Sequence, residues 1–99
     1  MVKQIIWSPK ALGERKDILT YWKLRNKSNS YSKKLDLLFK EAIKIIKSFP
    51  QIGKMTDSEN VRMKIVRDYL IIYEETETTI NILSIWDGRQ DPSKLKDIF

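Results

Sequence analysis

A chain of 99 residues is short enough to form one domain, and the sequence predicts a single domain over residues 1–99. It carries 19 Lys and Arg against 13 Asp and Glu, a net charge of +6, so the expected partners are polyanions or acidic proteins. It has no histidine and no cysteine, which excludes disulfides, a Ser-His-Asp triad, a cysteine nucleophile and the usual zinc ligands.

The N-terminal half predicts a strand followed by two helices. Gln4–Trp7 is a short apolar run typical of a strand. Ser8-Pro9 begins a helix, because serine caps helix N-termini and proline fits the first turn. Apolar residues then recur at helical spacing as far as Trp22. A second helix is predicted from about Ser30 to Ser48, and Pro50 ends it. Its apolar stripe consists of Tyr31, Leu35, Leu38, Ala42, Ile45, Ile46 and Phe49.

The C-terminal half predicts three strands. Apolar and basic residues alternate along Val61–Val66, the period of two that is typical of a strand. Arg67-Asp68 is a candidate two-residue turn, and Tyr69–Tyr73 is rich in aromatic and β-branched residues. Thr79–Trp86 becomes apolar on both faces, which favours a central strand. A short C-terminal helix is a further possibility over Ser93–Phe99.

These elements predict an α+β fold with the order β-α-α-β-β-β, in which a helical hairpin packs on one face of a small, mainly antiparallel sheet. A two-residue turn places Val66 opposite Tyr69, and side chains that lie opposite each other share a face. We expect one such set on an open face of the sheet and the other toward the core. The expected open-face set is Arg62, Lys64, Tyr69, Ile71 and Tyr73. The expected core set is Met63, Ile65, Leu70 and Ile72.

Four segments together resemble the RelE/ParE superfamily of bacterial type II toxins, and the resemblance covers nearly the whole chain. The segments are Ile5–Ala11, Phe49–Lys54, Arg62–Tyr73 and Ile82–Pro92. The resemblance implies a small basic toxin of a toxin–antitoxin module. It also implies that a cognate acidic antitoxin binds and silences the toxin in a hetero-oligomer.

The resemblance leaves two targets open. The RelE-like branch cleaves mRNA in the ribosomal decoding site, so the protein is an endoribonuclease only if it belongs there. The ParE-like branch inhibits DNA gyrase. The tail Leu95–Phe99 lacks the late Tyr or His-Tyr common in the nuclease branch, and the ending Trp86–Pro92 resembles the ParE-like branch. We therefore favour gyrase inhibition. A third possibility is a degenerate member that only binds its antitoxin.

The candidate site residues follow from the nuclease alternative. Cleavage through a 2′-hydroxyl needs a proton acceptor, a proton donor and cations that stabilise the phosphorane. The candidate catalytic residues are Lys54, Lys64, Arg67 and Arg89, and of these Arg67 and Arg89 match arginine positions of the nuclease branch. The candidate RNA- or phosphate-binding residues are Arg62, Tyr69 and Tyr73, as a cation and two rings that could stack a base. The alternative is an ordinary solvated sheet face with common strand tyrosines.

No cofactor and no metal site are expected, because acidic residues such as Glu14, Asp17 and Glu41 are dispersed along the helices. No apolar run approaches the roughly 18 residues of a transmembrane helix, so no membrane partner is expected. The absence of cysteine favours a cytoplasmic location. The expected partners are the antitoxin and, as target, either DNA gyrase or the ribosome with its mRNA.

Overall fold

The computed structural model describes residues 3–89, which form a five-stranded mixed sheet and two helices. The elements are β1 (Gln4–Trp7), α1 (Pro9–Asn26), α2 (Ser30–Ser48), β2 (Lys54–Met55), β3 (Val61–Val66), β4 (Tyr69–Glu75) and β5 (Thr79–Asp87). The strand order is β1-β5-β4-β3-β2, with β1 parallel to β5 and the other neighbours antiparallel. The predicted α+β architecture and the central position of β5 are confirmed. The predicted C-terminal helix lies outside the described residues.

The start of α1 is fixed to the middle of the sheet by one serine. The Ser8 hydroxyl accepts a hydrogen bond from the Ala11 amide at 3.0 Å, as an N-cap does, and donates to the Leu83 carbonyl of β5 at 3.0 Å. The Ser8 amide also donates to the Ile82 carbonyl at 2.9 Å. Pro9 is the first helical residue, so the predicted helix start is confirmed. These bonds align α1 along β5, against which it packs.

The core lies between the helices and one face of β4 and β5. α2 contributes four buried side chains at helical spacing, namely Leu35, Phe39, Ala42 and Ile46. Phe39 is fully buried and was missing from the predicted stripe, whereas Ile45 and Phe49 are 40% and 66% exposed. The Phe39 ring meets the Tyr69 ring edge-on, with 5.8 Å between the ring centroids. The face of α2 that packs on the sheet is therefore rotated slightly from the predicted one.

The helices cover the opposite face of the hairpin from the one predicted. Val66 lies opposite Tyr69, so the predicted register and the predicted grouping of side chains are confirmed. However, Tyr69, Ile71 and Tyr73 are 2%, 0% and 0% exposed and belong to the core, whereas Ile65 is 67% exposed. The predicted orientation of the two faces is therefore wrong for Tyr69, Ile71, Tyr73 and Ile65, although Ile72 of the predicted core set is fully buried. Both faces of the hairpin carry apolar residues, and burial of the two large tyrosine rings favours the observed choice.

The turn between β3 and β4 is held against the end of β5. Arg67 adopts a left-handed backbone conformation with φ 56°, which is uncommon for a residue other than glycine. The Gly88 amide donates to the Asp68 carbonyl at 2.7 Å. A Cβ atom at Gly88 would lie 2.8 Å from that carbonyl oxygen, so the close approach requires glycine there. Arg67 and Arg89 are thereby carried at the same end of the sheet.

Candidate functional site: the cationic edge of β3

Three of the four candidate catalytic residues lie in β3 or next to it, beside two cavities: Lys64 is in β3, Lys54 is in β2 and Arg67 is in the turn after β3. The helix-side cavity, about 230 Å³, lies between α2 and β3 and includes Lys64 and Arg67 in its lining. The open-side cavity, about 340 Å³, lies on the other face of the sheet and includes Lys54 and Lys64. Lys64 and Ile65 line both cavities. The structure thus places Lys64 beside Lys54 in one cavity and beside Arg67 in the other, and the catalytic role of all three stays a prediction.

Arg62 and Tyr73 hold the loop before β2. The Tyr73 hydroxyl accepts a hydrogen bond from the Gly53 amide at 2.9 Å and donates to the Pro50 carbonyl at 2.8 Å. The Arg62 guanidinium donates to the carbonyls of Gln51 and Gly53 at 3.2 and 3.0 Å. Burial raises the pKa of Tyr73. Both side chains therefore have structural partners that sequence reasoning missed, and Tyr73 has no free ring face on which a base could stack.

Tyr69 is likewise a core residue. Its ring packs on Phe39, and its hydroxyl accepts a hydrogen bond from the indole nitrogen of Trp22 at 2.7 Å. Burial raises the pKa of Tyr69 above its ordinary value. The prediction that Tyr69 and Tyr73 lie on an open face is wrong, because their burial in the core outweighs the cost of placing each hydroxyl among internal partners.

Arg89 lies in a different cavity from Lys54 and Lys64, and its side chain forms an ion pair with Asp87. Its guanidinium donates to both carboxylate oxygens of Asp87 at 3.0 Å, and its Cζ atom lies 5.7 Å from the centroid of the Trp22 ring. The hydrogen bond to Arg89 lowers the pKa of Asp87, and the same bond raises the pKa of Arg89. Sequence reasoning missed Asp87 and Trp22 as partners, because the sequence indicates only that Asp87 ends a strand.

A further cavity, about 420 Å³, lies between α1 and the end of β5. Acidic and aromatic side chains line it beside Arg89, and they include Glu14, Asp17, Tyr21 and Trp86. Glu14 is already engaged, since one of its carboxylate oxygens accepts hydrogen bonds from the Ser84 hydroxyl at 2.8 Å and the Ile85 amide at 3.2 Å. Arg89 therefore faces carboxylates and aromatic rings, including Tyr69 of the predicted phosphate-binding set, in a different cavity from those lined by Lys54, Lys64 and Arg67.

Two kinds of site have no counterpart in residues 3–89. No group of three or more acidic residues there is arranged to hold a metal ion. No helix in that range has the length and apolar character needed to cross a membrane. What the arrangement offers chemically is a short cationic and apolar edge beside β3, with a second arginine held in an acidic cleft.

Comparisons with known proteins give a family match for the sequence and a match to a solved structure for the fold. The family model described as "ParE toxin of type II toxin-antitoxin system, parDE" matches residues 5–92. A solved structure titled "Chromosomal ParDE TA system from P. aeruginosa" superposes with a TM-score of 0.76 at 16% sequence identity, and the match covers 87% of this chain and 96% of that chain. At that identity the superposition shows a shared fold. No curated protein sequence gives a significant match.

Proposed function

This chain belongs to the ParE toxin family of type II toxin–antitoxin systems, and we propose that it arrests growth by binding and inhibiting DNA gyrase. An antitoxin partner follows from the family. Gyrase is the target that the ParE-like resemblance of segment Trp86–Pro92 implies. In this proposal the toxin acts by binding a protein and performs no covalent chemistry of its own.

The separation of the candidate nuclease residues supports this proposal over RNA cleavage. Arg89 is hydrogen-bonded to Asp87 and lies over the Trp22 ring, in a different cavity from Lys54 and Lys64. Arg62 is bonded to two backbone carbonyls. Tyr69 and Tyr73 are buried with their hydroxyls bonded inside the protein. RNA cleavage needs several cations, a base and a stacked nucleobase at one place, and this arrangement does not bring those groups together.

The surface along β3 has the composition of a protein-binding surface. Ile65 and Met55 are 67% and 62% exposed, and Ile52 is 49% exposed. Lys54, Lys64 and Arg67 lie among or beside these apolar side chains. Exposed apolar residues together with arginine are typical of protein interfaces. This surface therefore supports the binding of a protein better than the binding of an isolated phosphate.

Ribosome-dependent mRNA cleavage is the alternative. The observation in its favour is that Lys64 lies beside Lys54 in one cavity and beside Arg67 in the other. Expression in cells separates the two. Gyrase inhibition predicts that plasmid DNA loses negative supercoils while mRNA stays intact. Cleavage within codons, with unchanged plasmid topology, would favour the nuclease. Normal growth during expression would point to a member that only binds its antitoxin.

A further inference from the structure

The outer face of α2 carries a lysine row that the proposed function does not use. The lysine row consists of Lys33, Lys40, Lys44 and Lys47. We propose that it binds the phosphate backbone of double-stranded DNA without reading the base sequence. The inference goes beyond gyrase inhibition, because a toxin that binds gyrase through the surface along β3 needs no DNA contact of its own.

Helical spacing places the four lysines on one face of α2. An α-helix turns by about 100° per residue, so positions separated in turn by 7, 4 and 3 residues lie within about 60° of one another. All four lysines are exposed. At a rise of about 1.5 Å per residue the lysine row is about 21 Å long, which matches about six base pairs of DNA. The buried residues lie across the helix axis, at Leu35, Phe39, Ala42 and Ile46.

The carboxylates of α2 do not neutralise the lysine row. The helix has five lysines but two carboxylates, Asp36 and Glu41. Asp36 accepts a hydrogen bond from Arg15 of α1 at 2.9 Å and lies 3.4 Å from Lys40. Glu41 lines the helix-side cavity beside β3. Within residues 3–89, the other three lysines of the row form no ion pair.

The spacing of the lysines is unfavourable in the free helix. Side chains three or four positions apart on a helix are neighbours, and like charges at those positions repel each other. Lys40 and Lys44 are four positions apart, and Lys44 and Lys47 are three apart. Phosphates bound along the row replace this repulsion by attraction, and the counterions they release also favour binding. The arrangement therefore suits a polyanion better than it suits water.

The composition of this face favours a nucleic acid over a protein. Lysine is depleted at protein interfaces, where aromatic residues and arginine are enriched. The aromatic residues Tyr31 and Phe39 of α2 pack toward the core, and Leu37 is the exposed apolar side chain among the lysines. Lysine binds phosphate as a point charge, and phosphate contacts carry no sequence information. A face without rings for base stacking also favours a duplex over a single strand.

The shape of the face favours DNA over duplex RNA. The lysines project from a single straight helix, and the major groove of B-form DNA is wide enough to admit an α-helix. The major groove of duplex RNA is deep and too narrow for side chains to enter. The phosphates on both sides of a DNA groove are therefore within reach of the lysine row.

Fluorescence anisotropy of a short DNA duplex of arbitrary sequence, titrated with the full-length chain at several salt concentrations, tests the site. Each phosphate contact contributes about −0.9 to the slope of log affinity against log salt, so four contacts predict a slope of about −3.6. Replacement of the whole row by glutamine, which keeps helix propensity, should weaken binding about 10-fold or more at low salt. No binding by the wild-type chain at low salt would refute the proposal.

A control variant with the same net charge separates the site from general attraction. It replaces four other exposed lysines by glutamine, in or next to α1, namely Lys10, Lys16, Lys23 and Lys27. Its affinity should fall less than about 3-fold, because these lysines lie outside the row. Equal losses in the two variants would show that net charge alone attracts DNA, and no site would remain on α2.

Chemical acetylation of lysines in the free and the DNA-bound chain, read by mass spectrometry, locates the contact without any substitution. We expect the lysine row to react about 5-fold or more slowly in the complex, and Lys10 and Lys16 to react at an unchanged rate. Protection elsewhere in the chain would contradict the assignment. Competition by polyglutamate or by duplex RNA should need about 10-fold or more competitor than unlabelled DNA, and equal competition by either would overturn the choice of DNA.

Discussion

The hydroxyl of Tyr73 accepts a hydrogen bond from the amide of Gly53 at 2.9 Å, although the two residues are 20 positions apart in the sequence. A core tyrosine thereby fixes the loop that leads into β2. Because the loop is held on the helix side, β2 is only two residues long, and within residues 3–89 the edge of β3 beyond Met63 has no strand partner. The same contact that completes the core therefore also shapes the surface along the edge of β3.

Removal of the Tyr73 hydroxyl is expected to destabilise the fold. Tyr73→Phe leaves the Gly53 amide and the Pro50 carbonyl without their partner, and the loss in free energy of unfolding should be about 1–3 kcal/mol. Urea unfolding measures it. The matched control is Tyr21→Phe, because Tyr21 is 45% exposed and its hydroxyl can bond water. Equal stability of the two variants would contradict the structural role of Tyr73.

Substitution by alanine is expected to change stability in opposite directions at two glycines, Gly53 and Gly13. A Cβ atom at Gly53 would lie 2.5 Å from the Tyr73 hydroxyl oxygen, so Gly53→Ala should lower the free energy of unfolding by about 1–3 kcal/mol. A Cβ atom at Gly13, on the exposed side of α1, would meet no atom within 4 Å. Gly13→Ala should therefore raise stability by about 1 kcal/mol through helix propensity. Thermal unfolding distinguishes the signs, and a stabilised Gly53→Ala would refute the close packing.

Much of the fold follows from local sequence, but the identity of the buried face does not. Ser8-Pro9 defines a helix start by capping alone, and Arg67-Asp68 sets the register that places Val66 opposite Tyr69. Period-two alternation then assigns side chains to two faces without saying which face the helices cover. That choice depends on which set of side chains fills the space against Leu35 and Phe39. It is decided by tertiary packing and not by the local sequence.

The candidate site was predictable only in part, for a related reason. Lys64 and Arg67 lie close together because they lie in or next to one strand. The roles of Arg89 and Arg62 stay predictions, but both contact groups far away in the chain, namely the Trp22 ring for Arg89 and the Gly53 carbonyl for Arg62. Spacing along a sequence carries no information about such contacts.

The ion pair between the helices predicts acid sensitivity. The Arg15 guanidinium donates to Asp36 at 2.9 Å, and Lys40 lies 3.4 Å from the same carboxylate. Burial by itself would raise the pKa of Asp36, but the bonds and charges of Arg15 and Lys40 outweigh it and lower the pKa below 3.8. The stabilisation is thus complete well above pH 3.8 and is lost as the pH falls through the lowered value.

Asp36→Asn should therefore lower the free energy of unfolding by about 1 kcal/mol at pH 7. The difference from the wild-type chain should shrink toward zero as the pH is lowered below 3.8, where the wild-type carboxylate also becomes neutral. Denaturant unfolding at a series of pH values measures it. The control is Asp17→Asn, on the exposed surface of α1. A difference that stays constant with pH would rule out the ion pair as its source.

Arg67 and Lys27 provide a matched pair for testing target binding. Both are cations in the left-handed conformation, with φ 56° and 50°. Replacement by glycine relieves backbone strain and adds unfolded-state entropy, so each variant should change stability by less than about 1 kcal/mol. We expect Arg67→Gly to abolish growth inhibition, because Arg67 lines the β3 edge, and Lys27→Gly at the end of α1 to retain it. Equal toxicity of both variants would remove Arg67 from the target-binding surface.

The most direct measurement is DNA supercoiling by purified gyrase in the presence of the purified chain. Inhibition by protein binding predicts that supercoiling falls with rising toxin concentration, that it is restored by the antitoxin, and that Arg67→Gly has lost the effect. Undiminished supercoiling at a toxin concentration that arrests growth in cells would contradict the account.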